Sequence, residues 1–481
     1  MGVRVPPFAL ALLAAQAALC VVILITRAAS AAVDGRWSET TGTEGVGITI
    51  IRRLAAGGPL YQNPSVDSTI AIYNYGFYRA YAVAAAFTSR LHQPLLLRSV
   101  TLAAAVCGAV ALASLVVKRL PGNSATRPAI AAAIAVSAML GPFVGWFLVS
   151  ARPDMAAIAF EVTGLALLDR SRNRLGMIVA ASVSFGCALA FKQTAIGMLL
   201  GACVWLLVER RITTIFILMA GVAAAAAIGI ATSGPYYFQH VFVAPASSDM
   251  GAPAFIEVWT SIALVGGPVL ACALVCGDWR GRRETARQLP LTWPMLTSLV
   301  IALPQLARYG ASRNYVIGAF ALATGLTWTW ALAPNATGRR RLATVALTLE
   351  TAIAASYFVP GHLGVLKLNP PTASLVQAVQ HGEGTNAGPY YSDDSNLALL
   401  WPTGTATVEV TDPSVYPYYV RKGFVHTTVE DRIRQCQFGT LLLGNSPLLD
   451  LALHAGYVTR LNIDGGRAWL VRSPACGRPA E

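Results

Sequence analysis

Charge is scarce in this chain. Of 481 residues, only 12% are Asp, Glu, Lys or Arg, about half the share of an ordinary soluble domain. That shortage excludes a conventional globular enzyme surrounded by water. Carboxylates are the rarer sign, 23 against 36 basic residues, so each one in an apolar setting needs a reason. The familiar chemical signatures are missing too. There is no Walker loop, no Gly-x-Gly-x-x-Gly behind a strand, no His-Glu-x-x-His and no Cys-x-x-Cys. Their absence removes the usual nucleotide, dinucleotide, zinc-protease and dithiol chemistries. Six of the eight cysteines lie in or near apolar runs, with no His at metal-ligand spacing, and read as packing residues. The two halves of the chain carry no matching Gly- or Pro-broken spans, the mark of an inverted-repeat transporter.

What is abundant is apolar surface. Hydrophobic residues make up 55% of the chain, gathered in repeated runs of about 18 or more, the length of a membrane-crossing helix. In lipid every backbone N–H must be satisfied within its own segment, so the runs predict an all-α polytopic bundle. The net charge of +13 invites a nucleic-acid reading, but the positions of the cations argue against it. Lys118-Arg119 with Arg127, then Arg170, Arg172 and Arg174, then Arg210-Arg211, then Arg280, Arg282 and Arg283, then Arg339-Arg340-Arg341 form short clusters between apolar runs. Such clusters mark cytoplasmic loops.

With those clusters inside, spans fall at about 8–26, 95–117, 129–149, 155–169, 175–191, 194–208, 212–232, 255–276, 291–309, 315–333 and 342–360. That is about eleven crossings. The first is read as a retained helix with a cytoplasmic N-terminus, although residues 28–31 (Ala-Ala-Ser-Ala) look cleavable. The parity requires that 70–89, with its Asn74, Arg79 and tyrosines, lie at the interface or re-enter rather than cross.

This topology leaves residues 30–94, 152–154, 192–193, 233–254, 308–315 and everything after 360 on the outer side. The rare polar residues that orientation does not explain sit in those places: Glu39, Glu44, Arg152, Asp154, Lys192, Gln193, His240, Arg308, Arg313 and Asn314. A charge within a membrane span costs about 2.5–3.5 kcal/mol at a helix centre, so these are candidate functional groups. Each also has a plainer reading as a snorkelling, turn or solvated residue. After about residue 361 the runs shorten and Pro, Gly, Asp and Asn appear. Val408-Glu409-Val410, residues 440–443 and 468–471 read as strands and 429–435 as a helix, giving a small extracytoplasmic α/β domain over 361–481. Its Cys436 and Cys476 either pair or stay as buried thiols.

The order of several phrases carries a resemblance. An outer loop with Glu39 and Glu44 follows the first span. Then come Leu54-Ala-Ala-Gly57-Gly-Pro59-Leu60-Tyr61, Tyr73-Asn74-Tyr75-Gly76-Phe77-Tyr78, Ser150-Ala-Arg152-Pro153-Asp154-Met155, Phe191-Lys192-Gln193-Thr194 and Ser312-Arg313-Asn314-Tyr315. Over about residues 1–360 this resembles the bacterial membrane glycosyltransferases of the GT-C type, relatives of the protein O-mannosyltransferases and of the lipid A aminoarabinose transferase. The resemblance implies a bacterial inner-membrane enzyme whose domain 1–360 is catalytic, with the carboxylate on loop 30–94. It implies a polyprenyl-phosphate sugar donor and an envelope glycan, lipid or protein acceptor on the outer face. It implies no nucleic acid and no cofactor, and it leaves any divalent metal requirement open. Carried onto this chain, Glu44 becomes the general base with Glu39 second, and Asp154 supports the acceptor. Arg152, Lys192, Arg308 and Arg313 contact the phosphate or headgroup, with Gln193, Asn314 and His240 nearby, and Tyr73 and Tyr75 line the sugar or lipid pocket. Two departures stand out. Thr43-Glu44 replaces a pair of adjacent acids, and Asn74-Tyr75-Gly76 replaces a His/Lys-Pro-Pro phrase, removing one expected cation. The competing readings are a transporter or flippase and a non-catalytic assembly subunit for lipid-linked saccharides.

Overall fold

A computed structural model describes residues 6–33, 43–89, 92–121, 125–276, 288–308, 311–333, 337–358, 389–393, 408–411, 416–444, 446–463, 467–474 and 476. Each expected span has a helix: α1 (Pro7–Val33), α4 (Gln93–Val116), α5 (Arg127–Met139), α6 (Asp154–Arg170), α7 (Leu175–Phe191), α8 (Gly197–Val208), α9 (Ile212–Thr232), α11 (Ala252–Cys276), α12 (Leu289–Leu306), α13 (Ile317–Ala331) and α14 (Thr337–Ile353). Among the described residues, four of these meet the length and apolarity of a membrane span unaided: Pro7–Ala29, Gln93–Val116, Ile212–Thr232 and Leu289–Leu306. The fold is a polytopic helical bundle with a small sheet near its C-terminus, and the chain is a multi-pass membrane protein.

Several helices are shorter than the apolar runs that contain them, for local reasons. The run expected over 129–149 stops at Met139, because Gly141-Pro142 follows and proline has no N–H to continue the ladder. The chain resumes as a 3-10 turn, Gly145–Val149. Among the described residues the first two-thirds also hold three short α-helices: α2 (Thr43–Ala55), α3 (Tyr75–Ala85) and α10 (Ala244–Ser247). At 11 residues, α3 is about 16 Å long, too short to cross a hydrocarbon core of about 30 Å alone. Asn74 caps it, its Oδ1 accepting from the Tyr75 N–H at 2.9 Å.

The chain divides into two compact units. The first holds residues 1–30, 99–231 and 250–367, and the second holds 31–98, 232–249 and 368–481. In the first unit α6 lies antiparallel to α7, joined by a turn at Ser171–Arg174, and α8 packs on α12. A glycine makes the second contact close: a Cβ on Gly201 would overlap the Cα and N of Pro294.

The second unit is built on a five-stranded sheet: β1 (Tyr390–Ser392), β2 (Val408–Val410), β3 (Thr440–Leu443), β4 (Tyr457–Ile463) and β5 (Arg467–Arg472). The order is β2-β1-β3-β5-β4, with β1 parallel to both neighbours and the β3–β5 and β4–β5 pairs antiparallel. Helices α15 (Tyr416–Arg421), α16 (Val429–Arg434) and α17 (Pro447–His454) accompany it. The core joins Tyr419, Ile433, Phe438, Leu441 and Leu470 with Ile70 and Ala244 from the earlier segments. Arg432 holds Glu409 through two hydrogen bonds of 2.6 and 2.8 Å, and the same carboxylate accepts from the N–H and Oγ of Ser68. Of the expected outer loop 30–94, residues 43–89 group with the C-terminal sheet. The reason is chemical: this loop supplies donors to buried Glu409 and an apolar residue to the sheet's core.

Cys436 and Cys476 form a disulfide across a separation of 40 residues. Replacing both with Ser is expected to destabilise the second unit by about 2–4 kcal/mol, through the freed unfolded chain. A denaturant midpoint of sheet melting that does not move would contradict this.

Candidate active site

The candidate residues of the first unit converge through helix length. α6 and α7 each contain 17 residues, so an antiparallel turn returns the end of α7 to the start of α6. Asp154 is the first residue of α6, behind Pro153, and Lys192 caps the end of α7. An anion at a helix N-terminus and a cation at a C-terminus are each favoured by the peptide dipoles. The two side chains meet: Lys192 Nζ donates to Asp154 Oδ1 at 2.5 Å. Asn314, in the 3-10 turn Arg313–Tyr315 before α13, donates Nδ2 to the same oxygen at 2.9 Å. Ser312 Oγ in turn fixes the Asn314 amide at 3.0 Å. Lys192 also sits over the Tyr315 ring, 4.4 Å from its centre.

Asp154 is 1% exposed. Its second oxygen, Oδ2, has no hydrogen-bond partner among the described residues. A cleft opens at this cluster, lined by Asp154, Glu161, Lys192, Ser298, Gln305 and Asn314. Glu161 lies two turns along α6 from Asp154 and accepts from the Met198 N–H at 3.1 Å. Ser298 Oγ, from α12, is buried and also without a partner among the described residues. The cleft therefore presents a carboxylate oxygen and a hydroxyl with unused hydrogen-bonding capacity beside an ammonium. That set suits a ligand rich in hydroxyls with an anionic end.

Two further candidate cations lie at the 3-10 turn Gly145–Val149. Arg152 stacks over Phe147, its guanidinium carbon 5.2 Å from the ring centre, close enough for its charge to act on Asp154. The Arg313 guanidinium lies against Gly145. Gln193 follows Lys192 in the same turn, half-buried. Arg308 is held at the end of α12 by a backbone bridge to Met250. Among the described residues, no three His, Cys, Asp or Glu side chains gather as a metal ion would require.

The second unit treats its candidates differently. Glu39 lies outside the described residues. Glu44 opens α2 and is fully buried. Both of its oxygens face Arg98: Nε donates to Oε1 at 3.0 Å and Nη2 to Oε2 at 3.2 Å. Tyr73 and Tyr75 are buried, the first against Phe77 and Tyr78 and the second against Tyr237. Tyr61 donates its hydroxyl to the Tyr73 carbonyl at 2.9 Å, and Tyr237 donates to Asn74 Oδ1 at 2.9 Å.

His240, on the expected outer segment 233–254, is an interior residue. The ring is fully buried. Its Nδ1 accepts from the Ala71 N–H at 3.1 Å and its Nε2 faces the Gln62 carbonyl at 2.7 Å. Both nitrogens are taken by backbone groups, leaving none to offer a substrate. Burial pushes its pKa down from 6.5 to about 4, with Arg53 adding to the shift. The folded ring stays neutral while the unfolded one protonates, so the contribution is full above pH 6.5 and is lost as pH falls towards 4. A shift of that size amounts to about 3 kcal/mol. Hydrogen-exchange protection at Ala71, corrected for intrinsic rate, should fall across this window, and His240→Gln should flatten the dependence. A wild-type profile level from pH 7 to 4 would contradict the assignment.

Sequence reading missed four contributors. Glu161 was legible in principle, seven residues after Asp154 and so on the same helix face. Arg98 was legible as a charge inside the expected span 95–117, whereas Ser298 and Gly145 had no local signal.

No protein-family model matches the chain, and no curated protein sequence does. Solved structures do match. ArnT from Cupriavidus metallidurans bound to undecaprenyl phosphate aligns with a TM-score of 0.60 at 13% identity, covering 96% of this chain and 98% of that one. The apo state of the same protein aligns with a TM-score of 0.60 at 13% identity, over 91% and 94%. The Archaeoglobus fulgidus oligosaccharyltransferase in complex with Zn and sulfate aligns with a TM-score of 0.50 at 10% identity, over 95% of this chain and 73% of that one. The fold is GT-C-like.

Proposed function

We propose that this protein is an integral membrane glycosyltransferase that moves a sugar from a polyprenyl-phosphate-linked donor to an acceptor on the outer face of the membrane. The observation that carries this reading is Asp154: a buried carboxylate with one oxygen fixed by Lys192 and Asn314 and the other without a partner among the described residues, on the wall of a polar cleft. The family resemblance and the likeness to a structure bound to undecaprenyl phosphate support the donor class.

The chemistry follows from these groups. The acceptor oxygen forms a bond to the anomeric carbon as Asp154 Oδ2 takes its proton. The bond from that carbon to the phosphate oxygen breaks, and the electron pair leaves with the polyprenyl phosphate. Lys192, Arg152 and Arg313 supply positive charge where that negative charge develops. Lys192 serves both ends, since it also stabilises the charge of the base. The base is placed at Asp154 rather than Glu44, because both Glu44 oxygens are committed to Arg98. In this reading Glu44 is structural. In this reading the eleven expected spans cross the membrane, the shorter helices doing so together with the residues that flank them. The N-terminus is cytoplasmic, and residues 361–481 lie outside, where the Cys436–Cys476 disulfide is stable.

The test is purified protein in nanodiscs, given a panel of polyprenyl-phosphate sugars and a mixed envelope extract as acceptor. Release of free polyprenyl phosphate that needs both protein and acceptor is expected. Saturable donor binding without release under any pairing would favour the transporter reading.

A further inference from the structure

Arg313 reaches its place through a single glycine. Gly145 opens the 3-10 turn with φ +65, in the left-handed region. A Cβ there would overlap Arg313 Nη2, and it would stand 3.0 Å from Cζ and 3.4 Å from Nε. The guanidinium therefore points its Nη2 end into the space that any other residue would fill. The same glycine's carbonyl accepts from Arg27 Nη1 at 2.7 Å. Arg27 comes from the far end of α1 and is 1% exposed. One peptide unit thus meets two guanidiniums, Arg313 at its Cα and Arg27 at its oxygen, and the two charges act on each other. Two residues on, Phe147 carries Arg152. A five-residue turn seats three arginines drawn from three separate parts of the chain.

We propose that Gly145 is the positioning residue for the Arg313 guanidinium, setting it at the anionic end of the donor. This rests on the reading of Arg313 as a phosphate contact. Two features make glycine necessary: the left-handed backbone and the missing Cβ. The obstacle that a Cβ would meet is the far end of a flexible side chain, not backbone. The clash of a substituted side chain therefore falls on the guanidinium, while the left-handed φ strains the turn itself, less for asparagine than for alanine. Arg27, bonded to the carbonyl, holds the peptide plane in the orientation that gives Arg313 its seat. A guanidinium moved by about 1 Å loses the alignment of a charge-assisted contact.

The test is a double-mutant cycle on the full-length protein in nanodiscs, titrated with undecaprenyl phosphate. Gly145→Ala and Arg313→Ala are each expected to weaken binding about tenfold. The double variant should be no weaker than Arg313→Ala alone, because the glycine acts through that arginine. A merely structural glycine would give additive losses. Gly145→Asn, which tolerates left-handed backbone but carries a Cβ, should reproduce the loss should the alanine variant misfold. Binding that survives both glycine substitutions while Arg313→Ala weakens it overturns the inference alone, as does an additive cycle. Arg313→Ala with wild-type affinity, or a wild type that does not bind the lipid, overturns the phosphate reading and this inference with it.

Discussion

Asp154→Asn lowers turnover by about 10²–10⁴-fold, the range for loss of a general base. The substitution keeps the shape of the side chain and leaves an oxygen for Lys192 and Asn314, so the cleft is preserved. What disappears is the negative charge and the ability to accept a proton at Oδ2. The loss should fall on kcat, with little change in KM for the lipid donor, since the group acts on the acceptor in the transition state. The substitution also leaves the Lys192 ammonium, 7% exposed, without its anion. Removing one partner of a buried pair destabilises by about 3–5 kcal/mol, whereas replacing both is often neutral. Adding Lys192→Met to Asp154→Asn should recover the melting midpoint, which assigns the stability loss to the unpaired ammonium. A wild-type rate in Asp154→Asn compared at equal folded fraction would assign the defect to folding.

Arg98→Met is the second large effect, and it is one of stability. Glu44 has no exposure to water and Arg98 holds both of its oxygens. Removing the guanidinium takes from a buried carboxylate the cation that holds both its oxygens and should cost about 3–5 kcal/mol. Adding Glu44→Gln to that variant should return most of the loss. The pair ties the start of α2 to a residue one turn and a half into α4, 54 positions later. A midpoint unchanged by Arg98→Met would remove the structural role given to Glu44 and reopen it as a base.

The helices were legible because their cause is local. Apolar runs bounded by Arg clusters become helices in lipid whatever they pack against. The stop at Met139 could be read from Gly141-Pro142. Val408–Val410 and Thr440–Leu443 announced themselves through β-branched and apolar runs, and Val429–Arg434 through its cap, where Thr428 and Asp431 bond each other's backbone. Tyr390–Ser392 has no β-branched residue to mark it, and Tyr457–Ile463 was missed although its apolar residues largely alternate.

The site was legible in composition and not in pairing. Asp154 and Lys192 stand out as isolated charges, and equal helix lengths could have joined them. Asn314 arrives from 160 residues away, a distance no spacing rule covers. Glu44 looked reactive because it is acidic and sits near a membrane. Its partner, Arg98, sits in an apolar run where it reads as one more helix end. His240 is a different case. Polarity was taken for exposure, but two backbone groups from residues 62 and 71 claim the ring and draw it inside.

The most direct measurement is single-turnover release of polyprenyl phosphate, with acceptor present, by wild type, Asp154→Asn and Glu44→Gln at matched folded fraction. The expected result is release by wild type and by Glu44→Gln, and loss of release in Asp154→Asn while lipid binding persists. Release by Asp154→Asn at the wild-type rate, with Glu44→Gln folded and inactive, would contradict the placement of the base and return it to the first outer loop.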